Sequence, residues 1–363
     1  MRVALISSGK EILPVLKGGS IDTYAYYLAK NLSKLGLEVW LYGNRKSLLK
    51  DSIKLKFRPI FFPDTKFKQV NYFTFNLLVL LDLLKKKRDI NIIHTNLSST
   101  TLLLSLFFKN IVFTSHSAYW WRSEATHKRQ IEAVKKAKAV IAISRFIEEK
   151  VKKYNKNVFY VPNGVDIELF RPIPFAKKKL HYTILSVSSI TEQKGLIYLA
   201  KAMKHIVKEN KEVKWIHVGP GNVLENEYYK RIINFLQSNK LLNNCEFVGR
   251  VPLEKLVWYY QNSTIFVLPS LWEGMPLVVL EAMSCGLPIV STKISGVEDL
   301  VINDWNGILV KPKDFSALSS SISELICNEN LIKKMGTRSR NRVVKEFSWQ
   351  IVAKKVKKIY ELF

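Results

Sequence analysis

Three cysteines, Cys245, Cys285 and Cys327, are all that 363 residues contain. Their spacing makes neither a disulfide framework nor a metal site, which fits a reducing compartment. With 15 Gly and 12 Pro, the chain has too little of either for a low-complexity or collagen-like segment. Long apolar runs are also missing. The longest, "FTFNLLVLLDLL" (73–84) and "TTLLLSLFF" (100–108), fall short of the roughly 20 residues a spanning helix needs, and the first carries Asp82. "MRVALISSG" is too short in apolar length for a signal peptide and reads as a first strand. A cytoplasmic protein is expected, soluble or peripheral on the inner membrane face. The six histidines show no clustered ligand spacing, so no metal site is expected. Acidic residues are scarce: 30 Asp and Glu stand against 57 Lys and Arg, for a net charge of +27. Residues 1–170 hold 29 of the cations and 13 of the acids, so both halves are basic and anionic partners are expected.

What is present is a globular composition, 47% hydrophobic and 12% aromatic, at a length that suits two domains. Short apolar strands alternate with helical patterns: 2–8, a helix near 21–35 stopped by Gly36, then strands at 38–43, 91–96, 110–117, 139–144 and 158–164. This βαβ rhythm predicts a parallel sheet with helices on both faces. "PNGVDIELFRPIPFAKKKL" (162–180) interrupts it with three prolines and a lysine run, and reads as a linker. A second series follows, with strands at 182–190, 213–219, 245–249, 264–270, 288–292 and 307–311, and a basic amphipathic helix near 348–362. The expected class is α/β, with two Rossmann-like doubly wound domains facing across a cleft. The expected boundaries are 1–165, a linker at 166–180, 181–345, and a helix at 346–363 that crosses back to the first domain. In such sheets ligands sit at the carboxyl ends of the strands.

"LWEGMPLVVLEAMSCGLPIVST" (271–292) holds Glu273 and Glu281 inside an apolar run. Pro276 suits the first turn of a helix over about 276–284 and Gly286 its C-terminal stop. The N–H groups of Gly274, Met275, Leu277 and Val278 then form an anion or hydroxyl site at a helix start. The two carboxylates lie roughly 10 Å apart along the helix rise, too far to share a proton. They could grip hydroxyls on two rings of one long ligand. On spacing alone, two half-exposed glutamates paired with Lys or Arg fit as well.

The same stretch resembles the E-x(7)-E signature of glycosyltransferase family 4, the group 1 glycosyl transferases. The resemblance runs through "GGSIDTYAYYLAKNLSKLGLEV" (18–39), "VPNGVD" (161–166), "SVSSITEQKG" (186–195), "FVGRVPLEKLVWYYQNSTIFVLPS" (247–270) and "NGILVKPKD" (306–314). It implies the GT-B fold and a retaining transfer from a nucleotide sugar, a UDP-, GDP- or ADP-sugar, with no other cofactor. Glu281 would hold ribose hydroxyls, and Glu273 the transferred sugar with the backbone of Gly274, Met275, Pro276 and Leu277. Lys194 would stabilise the departing diphosphate, which Gly18 and Gly19 face from the other domain. His116 would meet the sugar near its reaction centre; His94 is similarly placed but ranks below it. The family puts an arginine five residues before the lysine; here Ser189 stands there, with Arg250 and Lys293 as substitute cations. No Asp-x-Asp occurs, so the resemblance implies metal-independent transfer.

Many members of the family act on glycan or lipid-linked acceptors. "YWWR" (119–122) beside the basic segment 128–138 therefore makes an anionic membrane surface a candidate partner. A second possibility is a nucleotide-sugar-binding protein weakened or silenced by Ser189. Nucleic-acid binding is not expected, because no helix-turn-helix, RNP or zinc signature accompanies the charge.

Overall fold

Successive residues of the first strand, β1 (Arg2–Ile6), belong to two different cores: Val3 and Leu5 to one, Ala4 and Ile6 to the other. A strand buried on both faces must lie inside a sheet with a layer on each side. The computed structural model describes residues 1–11, 13, 19–44, 46–47, 54–60, 68–116, 124–174, 182–220 and 227–363. It divides into unit 1, Met1–Gly164 with Trp349–Phe363, and unit 2, Val165–Ser348.

Unit 1 holds a seven-stranded, fully parallel sheet. With β2 (Glu38–Asn44), β3 (Leu55–Ile60), β4 (Ile92–Thr95), β5 (Ile111–Ser115), β6 (Ala139–Ala142) and β7 (Val158–Tyr160), the order is β3-β2-β1-β4-β5-β6-β7. Its helices are α1 (Ser20–Lys34), α2 (Lys68–Lys85), α3 (Ser98–Ser105), α4 (Glu124–Lys136) and α5 (Arg145–Lys152), joined by the C-terminal α12 (Trp349–Tyr360). Val3, Leu5, Val39 and Leu41 pack under α1 and α12, while Ala4, Ile6 and Trp40 pack under α2 and α3. Strand β3 escapes sequence reading because Lys56, Arg58 and Pro59 make it look like a loop. It is an edge strand, where charge and proline are tolerated. Gly36, at φ +92°, ends α1 with the reciprocal bonds Gly36 N–H to Ser33 O and Leu37 N–H to Leu32 O.

Helix α12 belongs to unit 1 although unit 2 separates it in sequence. Trp349 stacks on Tyr27 at 5.7 Å, and Val352, Ala353, Val356 and Ile359 are buried with α1. The valines and the isoleucine each contribute roughly 1.5–3 kcal/mol on burial. Tyr360 reaches His94 Nδ1 on β4.

Unit 2 holds a six-stranded parallel sheet. Its strands are β8 (Thr183–Val187), β9 (Lys214–Val218), β10 (Cys245–Gly249), β11 (Ile265–Leu268), β12 (Ile289–Thr292) and β13 (Gly307–Val310), in the order β10-β9-β8-β11-β12-β13. Helices α6 (Leu196–Glu209), α7 (Glu227–Ser238), α8 (Leu253–Asn262), α9 (Leu277–Ser284), α10 (Phe315–Ile326) and α11 (Glu329–Glu346) cover it. Of the segment read as a linker, 166–174 lies in unit 2: Arg340 donates to the carbonyls of Ile167 and Phe170, and Ser284 Oγ donates to the latter. Residues 175–180, with the lysines at 177–179, lie outside the described residues. Among the described residues, no helix is long and apolar enough to cross a membrane.

Candidate functional site

In unit 2 two loops at the carboxyl ends of neighbouring strands are stitched together. After β8 the chain makes a 3₁₀ turn, Glu192–Lys194, and reverses at Gly195 with φ +62°. A Cβ there would stand 2.0 Å from the Pro269 carbonyl oxygen, so only glycine lets this turn approach the end of β11. The Leu271 N–H donates to Gln193 O at 2.7 Å, and Gln193 Nε2 donates to Trp272 O at 3.0 Å. This brings Lys194 Nζ to 2.6 Å from Glu273 Oε1. Ser270 Oγ donates to the same oxygen at 2.7 Å. Glu273 is buried, 6% exposed, so its charge is compensated where an unpaired carboxylate would be costly. Among the described residues, no donor is seen on Oε2.

Immediately beyond lies the start of α9. Pro276 is extended, at φ −75° and ψ 117°, and caps the helix; the helix proper begins at Leu277, one residue later than the proline suggests. Leu277 and Val278 therefore present N–H groups that have no intrahelical acceptor. Gly286, at φ +74°, closes the helix as expected, with Gly286 N–H to Met283 O and Leu287 N–H to Ala282 O.

Glu281 is held separately. Tyr260, fully buried on α8, donates its hydroxyl to Oε2 at 2.8 Å. Burial pushes the Glu281 carboxyl up to about 7, against the lowering effect of that bond. Of the alternative, two partly exposed glutamates paired with Lys or Arg, one element holds: Glu273 does pair with a lysine, but it is buried. Glu273 pairs with the very lysine expected at the diphosphate, and Glu281 pairs with a tyrosine.

Sequence reasoning also singled out Ser189, Arg250 and Lys293. Ser189 is half-buried, and its carbonyl accepts from Ser188 Oγ at 3.1 Å. Arg250 is exposed just past β10. Lys293 is exposed and 3.9 Å from Glu298. Neither cation pairs with Glu273 or Glu281.

In unit 1 the corresponding strand ends carry neutral groups. His116 follows β5 directly and is half-buried. Its Nε2 lies 2.9 Å from Asn96 Oδ1, and the Tyr24 ring meets it edge-on at 4.7 Å. Asn96 was not foreseen, yet it decides the state of the histidine. Its Nδ2 donates to the Ile6 carbonyl at 2.9 Å, so Oδ1 is the atom facing the ring. An amide oxygen only accepts, so Nε2 carries the hydrogen and Nδ1 keeps a lone pair. Desolvation lowers His116 to about 3, so the ring is neutral. A signal for Asn96 existed in "NIIHTN", where an amide stands one step past a buried strand.

His94 turns out to be a core group. It is completely buried between Tyr360 and Thr114, with Nε2 2.6 Å from Thr114 Oγ1, and desolvation lowers it to about 3. Gly19 lies at φ +108° before the first turn of α1. Asp22 in that turn accepts from the Ser8 N–H at 2.8 Å and from Ser8 Oγ, tying α1 to the loop after β1. Burial raises the Asp22 carboxyl, opposed by the bonds from Ser8. Gly18 and residues 119–122 lie outside the described residues.

Known proteins resemble the chain along most of its length. It is 28% identical over 315 residues to the Escherichia coli UDP-Gal:alpha-D-GlcNAc-diphosphoundecaprenol alpha-1,3-galactosyltransferase, covering 79% of this chain and 78% of that one. In structure it superposes on sucrose-phosphate synthase from Thermosynechococcus elongatus with a TM-score of 0.84 at 22% identity, covering 100% of this chain and 98% of the other. Anabaena HepE in complex with UDP and glucose superposes with a TM-score of 0.77 at 17% identity, covering 100% and 99%. The description "Glycosyltransferase Family 4" matches residues 19–169 and "Glycosyl transferases group 1" matches residues 166–342. The chain therefore belongs to family 4 of the group 1 glycosyltransferases, with the GT-B fold, and is a glycosyltransferase.

Proposed function

We propose that the enzyme moves a sugar from a nucleoside-diphosphate sugar to a glycan or lipid-linked acceptor, retaining the anomeric configuration and using no metal ion. The observation that carries this is the Lys194–Glu273 pair, fixed by Ser270 where the ends of β8 and β11 meet, beside the start of α9. Departure of a nucleoside diphosphate breaks the bond from the anomeric carbon to a phosphate oxygen and leaves the electron pair on phosphate. A fixed ammonium and helix-start N–H groups stabilise that charge without reorganising. Lys194 is already held in place by Glu273, so it does not have to be ordered when the donor binds.

In this proposal Glu273 Oε2 and the backbone of Gly274, Met275, Pro276 and Leu277 grip the transferred sugar. Glu281 as a carboxylate accepts from the ribose hydroxyls while Tyr260 holds its other oxygen. Arg250 stands at the base end of the donor. On unit 1, His116 has its Nδ1 lone pair to offer a hydroxyl, and Gly19, at φ +108°, leaves room for an anion against the backbone. The galactosyltransferase named above takes UDP-Gal and a lipid diphosphate, and HepE was solved with UDP. These relatives favour a UDP-sugar and a lipid-linked acceptor, and in this proposal the enzyme meets that acceptor at the cytoplasmic membrane surface.

A thermal-shift panel of UDP-, GDP- and ADP-sugars identifies the donor, because ligand bound to the native state raises its melting point. Turnover of that donor is then measured in EDTA and is expected to persist. Strict dependence on Mg²⁺ or Mn²⁺ would refute the metal-free mechanism, and no shift with any nucleotide sugar would refute the site.

A further inference from the structure

Helix α2 is apolar on two sides, and among the described residues only one of them is packed. Phe75, Val79, Leu80 and Leu83 fill the core beneath it. Phe73, Leu77, Leu81 and Leu84 lie on the opposite side; Phe73 is 64% exposed and the other three are each more than a third exposed. At 100° per residue these four fall within about 80° of arc, a single stripe along the helix. Beside it, just past the end of α3, Leu106 is 73% exposed and Phe107 44%. A surface helix of a water-soluble unit carries polar residues on its outer side, so a row of this kind marks an interaction face.

The row ends in charge. Lys85, Lys86, Lys87 and Arg88 follow Leu84 without interruption, and Lys109 follows the α3 end; all but Lys86 are exposed. The nearby acids are engaged: Asp82 with Lys86 and the Tyr42 hydroxyl, Asp89 with Arg2. Lys87 Nζ sits 5.6 Å from the Phe108 ring, which joins the basic end of α2 to the end of α3. Apolar side chains in line with a cluster of cations match the acyl boundary and phosphate layer of an anionic bilayer. A second copy of this chain fits less well. A two-fold contact through this face would bring two clusters of the same sign together.

We infer that the outer face of α2, with Leu106 and Phe107, docks unit 1 onto an anionic phospholipid surface. Sequence reasoning offered "YWWR" (119–122) beside 128–138 for such a contact; 119–122 lie outside the described residues. In 128–138, Lys128 and Lys135 pair with Glu124 and Glu132, and α4 has no large apolar side chain among the exposed ones. The first turns of α2 pack on the loop after β1, where Gly9 lies against the Phe75 ring. The docked face therefore runs from the basic end up to the carboxyl edge of the sheet, the edge that carries Asn96 and His116. The inference deepens the proposed function, and rests on its reading of a lipid-linked acceptor at a membrane surface.

The test is sedimentation of the full chain with vesicles of equal parts phosphatidylglycerol and phosphatidylcholine, and with phosphatidylcholine alone. The wild type is expected to sediment with the anionic vesicles and to be released by salt. Phe73→Ser/Leu77→Ser/Leu81→Ser should abolish sedimentation, and Lys85→Ser/Lys87→Ser/Arg88→Ser should weaken it about fivefold per charge removed. Lys128→Ser/Lys135→Ser should leave it unchanged. These side chains are exposed, so the variants should fold and keep their donor thermal shift. That separates loss of docking from failure of the donor site. Equal sedimentation of wild type and the α2 variants would overturn the inference. So would a solution dimer that the apolar triple variant converts to monomer, because the face would then belong to self-association.

Discussion

The two units present their strand ends in opposite electrical states. Unit 2 offers charge: an ammonium and a carboxylate 2.6 Å apart, beside a second carboxyl that burial holds near 7. Unit 1 offers neutral groups: a histidine whose hydrogen is assigned to Nε2 by Asn96, and a second histidine sealed in the core. Both sheets are parallel and doubly wound, so the difference comes from what each loop carries. In the proposed reaction the charge would serve the departing diphosphate, and the fixed lone pairs would meet hydroxyls.

Removing the ammonium should break this contrast most severely. Lys194→Ala is expected to lower donor turnover by roughly 10²–10³-fold, the cost of losing one fixed transition-state donor. The melting temperature should fall too, because among the described residues Ser270 is then the one donor left to the Glu273 carboxylate. Unchanged turnover in a folded variant would remove Lys194 from the site.

Acid should distinguish the units next. His94 and His116 titrate at about 3 when folded and at 6.5 when unfolded, so the unfolded chain binds more protons between those values. Their contribution is complete above 6.5 and is lost as pH falls towards 3, by about 2–5 kcal/mol for the fully buried His94 and less for the half-buried His116. The raised Asp22 carboxyl opposes these two histidines in unit 1; in unit 2 a single histidine, His217, lowered to about 4, acts in their direction and Glu281 opposes it. Hydrogen exchange at pH 5 should therefore show the core of unit 1 opening before that of unit 2. Equal loss of protection would contradict this ordering.

Glu281 gives the third measurement. Its folded carboxyl keeps its proton up to about 7, while the unfolded one loses it near 4.5. The contribution of Glu281 to wild-type stability therefore declines as pH rises from 4.5 to 7 and is level above. Glu281→Gln lacks that decline, so relative to wild type it should gain up to roughly 3 kcal/mol between pH 4.5 and 8. Donor affinity of the wild type should rise over pH 6 to 8 as the carboxylate forms, and that of the variant should stay flat. A parallel rise in both would exclude this group.

The smallest effect is expected at Ser189. Ser189→Arg adds a second cation where the family has one, and should raise turnover by at most about tenfold, one charged hydrogen bond. No change would mean that Lys194 and the α9 start suffice.

Much of this was legible along the chain because its signals are local. The helix stops at Gly36 and Gly286 follow from left-handed backbone, and the strands from short apolar runs between turns. "WEGMPLVVLEAM" announced a helix start flanked by two acids. The edge strand β3 was missed because Lys56, Arg58 and Pro59 make it polar, which only its place at the sheet margin explains. His94 and His116 look alike in sequence, each near the end of an apolar strand. They part in the fold because α12, arriving from the far end of the chain, brings Tyr360 over one of them.

By itself, then, the amino-acid sequence determined the alternation of strands and helices, the family, and the identity of the charged residues, since each rests on spacing within a few turns of chain. Tertiary structure alone decided which charges meet. Lys194 and Glu273 are 79 residues apart and are paired because Gly195 lets one loop close on another. The tautomer of His116 and the outward apolar side of α2 were likewise fixed only by packing, because hydrogen-bond direction and exposure are properties of neighbours in space.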